Sequence, residues 1–228
     1  MRLAMWSGPR NLSTAMMYSF AARPDFAVMD EPFYGPFLEL TGIDHPMRDE
    51  VLAAVETDTA RISEACSTIP DGVEHLYMKH MPHHMVPGVP YDWAEGAVHV
   101  HLIRHPARVI ASYLAKREEM NLDDIGYRQQ AEVFDQFPGP VLDSADVRQN
   151  PEAALGRLCA EIGLPFDARM LSWASGGIPE DGPWAPHWYN AVHKSTGFAG
   201  EEGPLPDISG PLLAEALPVY DMMRQAAI

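Results

Sequence analysis

Residues 2–20, RLAMWSGPRNLSTAMMYSF, decide the fold of this chain. The apolar run at residues 3–6 is typical of a buried strand, and the run that starts at Ser13 has the character of a helix. Between them, Gly8 and Pro9 make a tight corner. The first N–H groups of a helix have no partner within the helix, and such a start after a glycine-containing turn attracts anions. The stretch predicts an anion-binding turn, although an ordinary surface turn with Ser13 as the N-cap also fits these residues.

Composition and charge argue against several classes of protein. The chain has 228 residues, which fits a single domain over residues 1–228, and 46% of them are hydrophobic. Its formal net charge of −16 at pH 7 argues against nonspecific nucleic-acid binding and against binding to anionic membrane surfaces. It contains no apolar run of membrane-spanning length and does not begin like a secretory signal. Cys66 and Cys159 have no metal-binding or redox spacing. We therefore expect a cytoplasmic protein without nucleic-acid or membrane partners, and the sequence leaves its oligomeric state open.

Strand-like runs alternate with helix-like segments along the rest of the chain. Strands are predicted at residues 26–30, 74–79, 97–103 and 140–147, and helices at residues 47–67, 106–120, 123–136, 151–162 and 211–225. The remaining predictions are a loop at residues 31–36 and an irregular segment, rich in glycine, proline and aromatic residues, at residues 175–210. The alternation predicts an α/β fold with three layers, in which helices flank a central, mainly parallel sheet. Ligands of such sheets bind at the carboxyl ends of the strands, which here lead into turns at residues 7–13, 30–36, 79–84 and 104–106.

A second arrangement that fits an anion follows the predicted strand at residues 97–103. Arg104 ends this strand, and Pro106 suits the first turn of the next helix. Ser112 lies about two turns into that helix. Arg104 and Ser112 can therefore converge on one anion if the ligand lies across the strand end. A helix start with an exposed serine and a surface arginine is the alternative interpretation.

Taken together, the two stretches resemble sulfotransferases that use 3′-phosphoadenosine-5′-phosphosulfate (PAPS). The 3′-phosphate motif of that family, R-x-P-x-x-V-x-x-S-[YF], is matched by Arg104, Pro106, Val109, Ser112 and Tyr113. The 5′-phosphosulfate loop, P-[KR]-S-G-[ST]-T, is matched at Pro9, Arg10, Ser13 and Thr14, and not at Asn11 and Leu12. The motifs stand in the order of the family, and the similarity extends over residues 2–173. The resemblance implies a sulfotransferase fold, related to the P-loop nucleotide kinases.

The resemblance also implies a reaction and a set of donor contacts. The expected reaction moves the sulfuryl group from PAPS to a hydroxyl or amine of a small-molecule acceptor without a metal, and Arg10 stabilises the developing charge. Residues 188–198 are similar to the late loop of the family, where Trp188 or Phe198 can stack on a base. A packed aromatic loop is the alternative for this segment. The expected donor-binding residues are Gly8, Pro9, Arg10, Asn11, Ser13, Thr14, Arg104, Ser112, Lys194 and Ser195.

Leu12 departs from the family pattern, which has a glycine at this position. A glycine lets the backbone approach the phosphate closely. A leucine predicts an ordinary backbone conformation here, and hence a wider or shifted loop.

Two residues compete as the base that accepts the proton of the acceptor. Glu31 resembles the carboxylate that follows the second strand in bacterial and carbohydrate sulfotransferases, and a carboxylate suits this work when its neighbours raise its pKa. His80 resembles the histidine of cytosolic sulfotransferases, and a histidine titrates near neutral pH. Lys79, however, stands one position later than the lysine of that family's motif. Glu31 is favoured because Arg10 in the opening loop is also typical of its branch. The alternative is a structural role for both.

Other chemistries fit the sequence less well. Zinc is disfavoured at the histidines of residues 80–84 because Pro82 interrupts their spacing, and His99 and His101 on one strand face are expected to be hydrogen-bonded. An ATP- or GTP-dependent P-loop kinase would need G-x-x-x-x-G-K-[ST], which is absent. A sulfotransferase-like module that binds a nucleotide or a partner without turnover stays open. The acceptor cannot be identified, and the aromatic residues near the expected site suggest only that it is partly apolar.

Overall fold

A five-stranded parallel sheet forms the centre of the structure, a computed structural model that describes residues 1–115 and 120–228. The strands are β1 (Arg2–Ser7), β2 (Phe26–Asp30), β3 (His75–His80), β4 (Val98–Ile103) and β5 (Val141–Asp143). Their order is β2-β3-β1-β4-β5, and each neighbouring pair runs parallel. The chain leaves β1 towards one edge of the sheet and leaves β4 towards the other. The carboxyl ends of β1 and β4 therefore flank the crevice in which such sheets bind ligands.

Helices cover both faces of the sheet. In chain order they are α1 (Ser13–Ala21), α2 (Tyr34–Thr41), α3 (Arg48–Ala54), α4 (Thr59–Ser67), α5 (Pro106–Leu114), α6 (Leu122–Ile125), α7 (Tyr127–Gln136), α8 (Ser144–Gln149), α9 (Pro151–Glu161), α10 (Ala185–Trp188), α11 (Asn190–His193) and α12 (Pro211–Gln225). Short 3-10 turns occur at Pro82–His84, Asp92–Ala94 and Ala168–Leu171. The predicted three-layer α/β fold is confirmed.

Alternate residues of β1 pack on opposite faces of the sheet. Leu3 and Met5 belong to the core that α1 and α9 cover, whereas Ala4 and Trp6 belong to the core on the side of α4 and α7. All four side chains are fully buried. Burial on both faces explains why this strand is a continuous apolar run in the sequence rather than an alternating one.

Two predicted helices are interrupted, and capping explains one interruption. The helix predicted at residues 47–67 is divided into α3 and α4, because the Asp58 side chain accepts hydrogen bonds from the N–H groups of Ala60 and Arg61 and starts a new helix. The helix predicted at residues 123–136 is divided into α6 and α7 at Gly126, which has a φ of 69°. Single spans were therefore wrong in both places.

Other boundaries also differ from the prediction. The strand predicted at residues 140–147 is limited to β5, since the Asp143 side chain accepts a hydrogen bond from the N–H of Ala145 and starts α8. The loop predicted at residues 31–36 ends early, because α2 begins at Tyr34. The predicted end of the helix from residue 106 falls partly on residues 116–119, which lie outside the described residues.

Candidate active site

The turn between β1 and α1 has an unusual backbone. Arg10 has a φ of 63° and Leu12 a φ of 79°, a left-handed conformation that costs roughly 1–3 kcal/mol for a residue with a side chain. The prediction of an ordinary backbone at Leu12 is therefore wrong, because Leu12 adopts the conformation that glycine takes readily. Leu12 is also the N-cap of α1, and its side chain makes no capping hydrogen bond. The N-cap residue thus leaves the first N–H groups of α1 without a side-chain acceptor, as an anion site at a helix start requires.

Buried amides hold this turn in place. The N–H of Gly8 donates to Gln130 Oε1 at 3.0 Å, and Gln130 Nε2 donates to the carbonyl of Trp6 at 3.1 Å. A Cβ on Gly8 would lie 2.8 Å from the carbonyl oxygen of Ile125, so this close approach requires glycine. Asn11 Nδ2 donates to the carbonyl of Leu102 on β4 at 3.3 Å. Gly8 and Asn11 therefore join the turn to its surroundings.

The residues of the two sequence motifs meet across the ends of β1 and β4. Arg10 Nε donates to Ser112 Oγ at 2.9 Å, and Arg104 Nη1 donates to the carbonyl of Arg10 at 2.6 Å. Burial, together with the nearby charge of Arg104, lowers the pKa of Arg10. Two guanidinium groups in such proximity favour an anion beside them. The geometry thus brings Arg10, Arg104 and Ser112 to one place.

A second buried group of charges lies where β2 and β3 end. Lys79 is fully buried, and its Nζ lies 3.0 Å from Asp30 Oδ1 and 2.7 Å from Glu31 Oε1. The hydroxyl of Tyr189 donates to Asp30 and in turn accepts a hydrogen bond from Trp184 Nε1 at 2.8 Å. Glu31 has a φ of 44° and belongs, with Arg10 and Leu12, to the four non-glycine residues of the described chain that have a positive φ.

The charges of this group shift one another's pKa values. Burial raises the pKa of Glu31, and although Lys79 opposes this effect, Asp30 reinforces it. Burial by itself would lower the pKa of Lys79, but the attraction of Asp30 and Glu31 outweighs burial and raises it. Lys79 therefore stays cationic, while Glu31 has the raised pKa that a carboxylate base needs.

His80 points away from these charges. Its ring stacks on Trp6 and Trp93, with ring centroids 4.8 and 4.3 Å apart, in the core on the side of α4 and α7. Burial lowers the pKa of His80 to about 3. Because side chains alternate along a strand, His80 faces the core while Lys79, one place earlier, reaches the candidate site. The structure therefore does not bring the predicted base His80 together with Arg10 and Arg104.

A cavity of about 290 Å³ connects the two charged groups. Most of the predicted site residues line it, namely Pro9, Arg10, Asn11, Ser13, Thr14, Glu31, Arg104 and Ser195. Its other lining residues include Lys79, Asp124 and a set of aromatic and imidazole side chains, namely Tyr34, His45, His83, His84, Tyr113, Trp188 and Tyr189. The cavity thus has a cationic end and an aromatic end.

The late loop contributes less than the resemblance implied. Ser195 Oγ already donates to the carbonyl of Val192 at 2.7 Å and accepts from Trp173 Nε1 at 3.1 Å. Lys194 is exposed and is not part of the cavity lining. Phe198 packs against Trp173 rather than lining the cavity, whereas Trp188 lines it.

Sequence reasoning missed several residues of the site. Arg108 and Arg148 form ion pairs with Glu202 close to Arg104, and Tyr189 joins the group around Lys79. Arg108 lies one turn after Arg104 inside the second motif, which is a usable signal. Glu202 and Tyr189 belong to the irregular segment, where no periodicity indicates which side chains turn inward.

The remaining histidines of the sheet are hydrogen-bonded, as predicted. Trp6 Nε1 donates to His99 Nδ1 at 3.0 Å, and His101 Nε2 lies 2.9 Å from the carbonyl oxygen of Phe137.

Within residues 1–115 and 120–228, no three His, Cys, Asp or Glu side chains are grouped so that they could hold a metal ion. In the same residues, no helix combines the length and the apolar character that crossing a membrane requires.

A parallel sheet that helices flank, with a turn that leads from its first strand into a helix, is typical of the class of P-loop-like α/β folds. Within that class, the sequence matches the sulfotransferase domain family over residues 1–227, and the chain belongs to this family. A relative from Arabidopsis thaliana, the branched-chain-amino-acid aminotransferase-like protein 2, is 36% identical over 227 residues. The match covers 96% of this chain and 40% of that protein, so the chain spans about two-fifths of the relative's length.

Solved structures of sulfotransferase domains share the fold. The sulfotransferase domain from the curacin biosynthetic pathway superimposes with a TM-score of 0.57 at 15% identity, covering 97% of this chain and 96% of that domain. The sulfotransferase domain from the Synechococcus PCC 7002 olefin synthase gives a TM-score of 0.59 at 16% identity, with 97% and 94% coverage. The likeness extends over nearly the whole chain and therefore includes the irregular segment.

Proposed function

We propose that this protein is an active sulfotransferase that transfers the sulfuryl group of PAPS to a hydroxyl or amine of a small-molecule acceptor. The observation that carries the proposal is the meeting of Arg10, Arg104 and Ser112 beside a helix start that no side chain caps. Membership in the sulfotransferase domain family supports the same function.

The residues fit the chemistry of this donor, which carries a phosphosulfate at one end of its ribose and a phosphate at the other. The first turn of α1 and Arg10 suit one anionic group. Arg104, with Arg108 and Arg148 close to it, suits the second. Trp188 is not assigned to the base of the donor, because its ring stacks on His45 at the aromatic end of the cavity. We assign no donor contact to Lys194, because its side chain is exposed and does not line the cavity.

Glu31 is the base of the proposed reaction. It lines the cavity, its pKa is raised by burial, and Lys79 fixes one of its carboxylate oxygens at 2.7 Å. Glu31 accepts the proton of the acceptor group as that group attacks sulfur. Arg10 stabilises the negative charge that develops on the oxygen that leaves. We do not assign this role to His80, because its ring stacks on Trp6 and Trp93 and does not line the cavity.

The acceptor is held at the aromatic end of the cavity. Tyr34, His45, Trp188, His83 and His84 line it there, and the rings of Tyr34 and His84 stack with their centroids 4.8 Å apart. Burial lowers the pKa of His83 to about 4, so this histidine is neutral at neutral pH. A neutral, partly apolar wall suits an uncharged alcohol, phenol or amine better than an anionic acceptor.

A ligand-binding experiment and a transfer assay together test this function. Adenosine 3′,5′-bisphosphate should raise the melting temperature, ATP with Mg²⁺ should raise it less, and Arg104→Ala should abolish the shift. Arg61→Ala, which changes an exposed arginine of α4, serves as the matched control. Transfer of radiolabelled sulfuryl from PAPS is then measured with a panel of alcohols, phenols and amines. No shift with millimolar bisphosphate would exclude a PAPS-dependent enzyme, and a shift without any transfer would indicate a binding module.

A further inference from the structure

A buried carboxylate occupies the arginine cluster at the end of β4. The side chain of Glu202 is only 5% exposed, and it pairs with Arg104, with Arg108 Nε at 3.0 Å and with Arg148 Nη1 at 2.8 Å. Three guanidinium groups around one carboxylate leave an excess of positive charge. The cluster therefore retains the capacity to hold a more highly charged anion than Glu202.

Contacts with these arginines attach the segment that carries Glu202. Residues 199–203 are exposed apart from Glu202. Arg148 Nε donates to the carbonyl of Gly200 at 2.9 Å, and Arg108 Nη2 donates to the carbonyl of Gly203. A Cβ at either glycine would meet nothing within 4 Å, so both lie in open space. A segment held by ionic contacts and little apolar burial opens at low cost when those contacts are replaced.

Arg104 links this cluster to the first anion-binding turn. One of its terminal nitrogens pairs with Glu202, and the other donates to the carbonyl of Arg10 at 2.6 Å. The Glu202 carboxylate thus lies one guanidinium group away from the turn that precedes α1. A phosphate offers the same forked set of oxygen acceptors as a carboxylate, with more charge.

We propose that Glu202 is an internal substitute for the second phosphate of the donor. In the free protein it keeps the three arginines together, and a bound phosphate displaces it along with residues 199–203. This inference rests on the proposed function, because it takes the displacing ligand to be a nucleotide with a 3′-phosphate. Glu202 then determines specificity, because the binding of a nucleotide without that phosphate does not compensate for the ion pairs that Glu202 loses when it is displaced.

Calorimetry with matched variants tests the proposal. Glu202→Gln and Glu201→Gln each remove one negative charge, but only the first removes the buried carboxylate. We expect Glu202→Gln to bind adenosine 3′,5′-bisphosphate about 10-fold more tightly than the wild type, a gain of about 1.4 kcal/mol. Adenosine 5′-monophosphate should bind both within about twofold, and Glu201→Gln should resemble the wild type. Unchanged or weaker bisphosphate binding by Glu202→Gln would overturn the proposal.

Hydrogen exchange of the wild-type protein provides a readout that needs no variant. Adding the bisphosphate should increase exchange in residues 199–203, and unchanged or slower exchange in the bound protein would contradict displacement. Inorganic pyrophosphate separates the two proposals. If the bisphosphate does not bind but pyrophosphate releases residues 199–203, Glu202 is displaceable and the proposed donor is wrong. If the bisphosphate binds and residues 199–203 stay protected, the donor assignment survives and the inference about Glu202 fails.

Discussion

The two ends of the candidate cavity differ in how their charges are compensated. At the ends of β2 and β3, Lys79, Asp30 and Glu31 are buried and compensate one another within 3.0 Å. At the ends of β1 and β4, Arg10 and Arg104 lie together, and the acidic partner of Arg104 comes from an exposed segment. This difference is what the proposed function requires, because a base needs fixed, compensated charges, whereas an anion site needs positive charge that a ligand can reach.

Removing the buried cation should give the largest effect. Lys79→Met leaves Asp30 and Glu31 buried without a cation, and we expect a loss of about 3–5 kcal/mol in the free energy of unfolding. Urea denaturation measures this loss. Lys194→Met, at an exposed lysine, should stay within about 0.5 kcal/mol of the wild type. A similar loss in both variants would contradict the compensation between Lys79 and its carboxylates.

The cost of Lys79→Met should also depend on pH. A carboxyl whose pKa is raised on folding stabilises the protein fully below its unfolded pKa, and this contribution is lost as the pH rises through the folded pKa. The pKa of Glu31 is raised above its ordinary 4.5 and rises further without Lys79. Denaturation should therefore show a larger cost at pH 8 than at pH 5. A cost that does not change with pH would indicate that Glu31 is not the group left uncompensated.

Neutralising the proposed base should abolish most of the turnover and leave binding intact. We expect Glu31→Gln to reduce the sulfuryl transfer rate about 10²–10⁴-fold, because a general base contributes a factor of this size. Adenosine 3′,5′-bisphosphate should bind this variant as it binds the wild type. His80→Phe, which keeps a ring against Trp6 and Trp93, should retain transfer within about fivefold. The opposite result, with His80→Phe inactive and Glu31→Gln active, would reverse the assignment.

A methyl group at the start of the anion-binding turn should have an intermediate effect. The added Cβ of Gly8→Ala lies 2.8 Å from the carbonyl oxygen of Ile125, so the turn must shift. We expect a loss of about 1–3 kcal/mol in stability and weaker bisphosphate binding. Gly156→Ala in α9 adds a methyl group where nothing lies within 4 Å, and it should stabilise the helix by about 1 kcal/mol. Thermal unfolding of the two variants checks the contrast, and equal effects would contradict it.

The smallest effect is expected at Leu12. Its backbone is already left-handed, so Leu12→Gly removes strain of about 1–3 kcal/mol. This gain offsets a glycine entropy cost of about 0.5–1 kcal/mol and the loss of a partly buried side chain that packs against the core. Stability should therefore change by about 1 kcal/mol or less, and bisphosphate affinity by less than about threefold. Denaturation and calorimetry measure the two quantities. A gain of tenfold or more in affinity would mean that leucine widens the turn after all.

The sequence predicted the sheet and the cationic end better than the rest of the site. Apolar runs mark β1 and β4 because both faces of these strands are buried, and local motifs place Arg10 and Arg104 after them. The Leu12 conformation was mispredicted because surrounding contacts, such as the bond from Asn11 to Leu102, override the preference of a single residue. Glu202 and Tyr189 escaped prediction because their partners are set by tertiary contacts in a segment without periodicity.

The central place of β1 in the sheet has a consequence for folding during synthesis. β1 pairs with β3 and β4, and Leu3 lies opposite Val98, so its second partner strand follows long after it along the chain. At ribosomal rates the intervening residues take roughly 5–20 s to appear. β1 therefore lacks its second partner strand for that time, and contacts this distant in sequence form slowly. The turn between β1 and α1 can take its final shape only after β4 has been made, which makes the nascent β1 segment a natural client for chaperones.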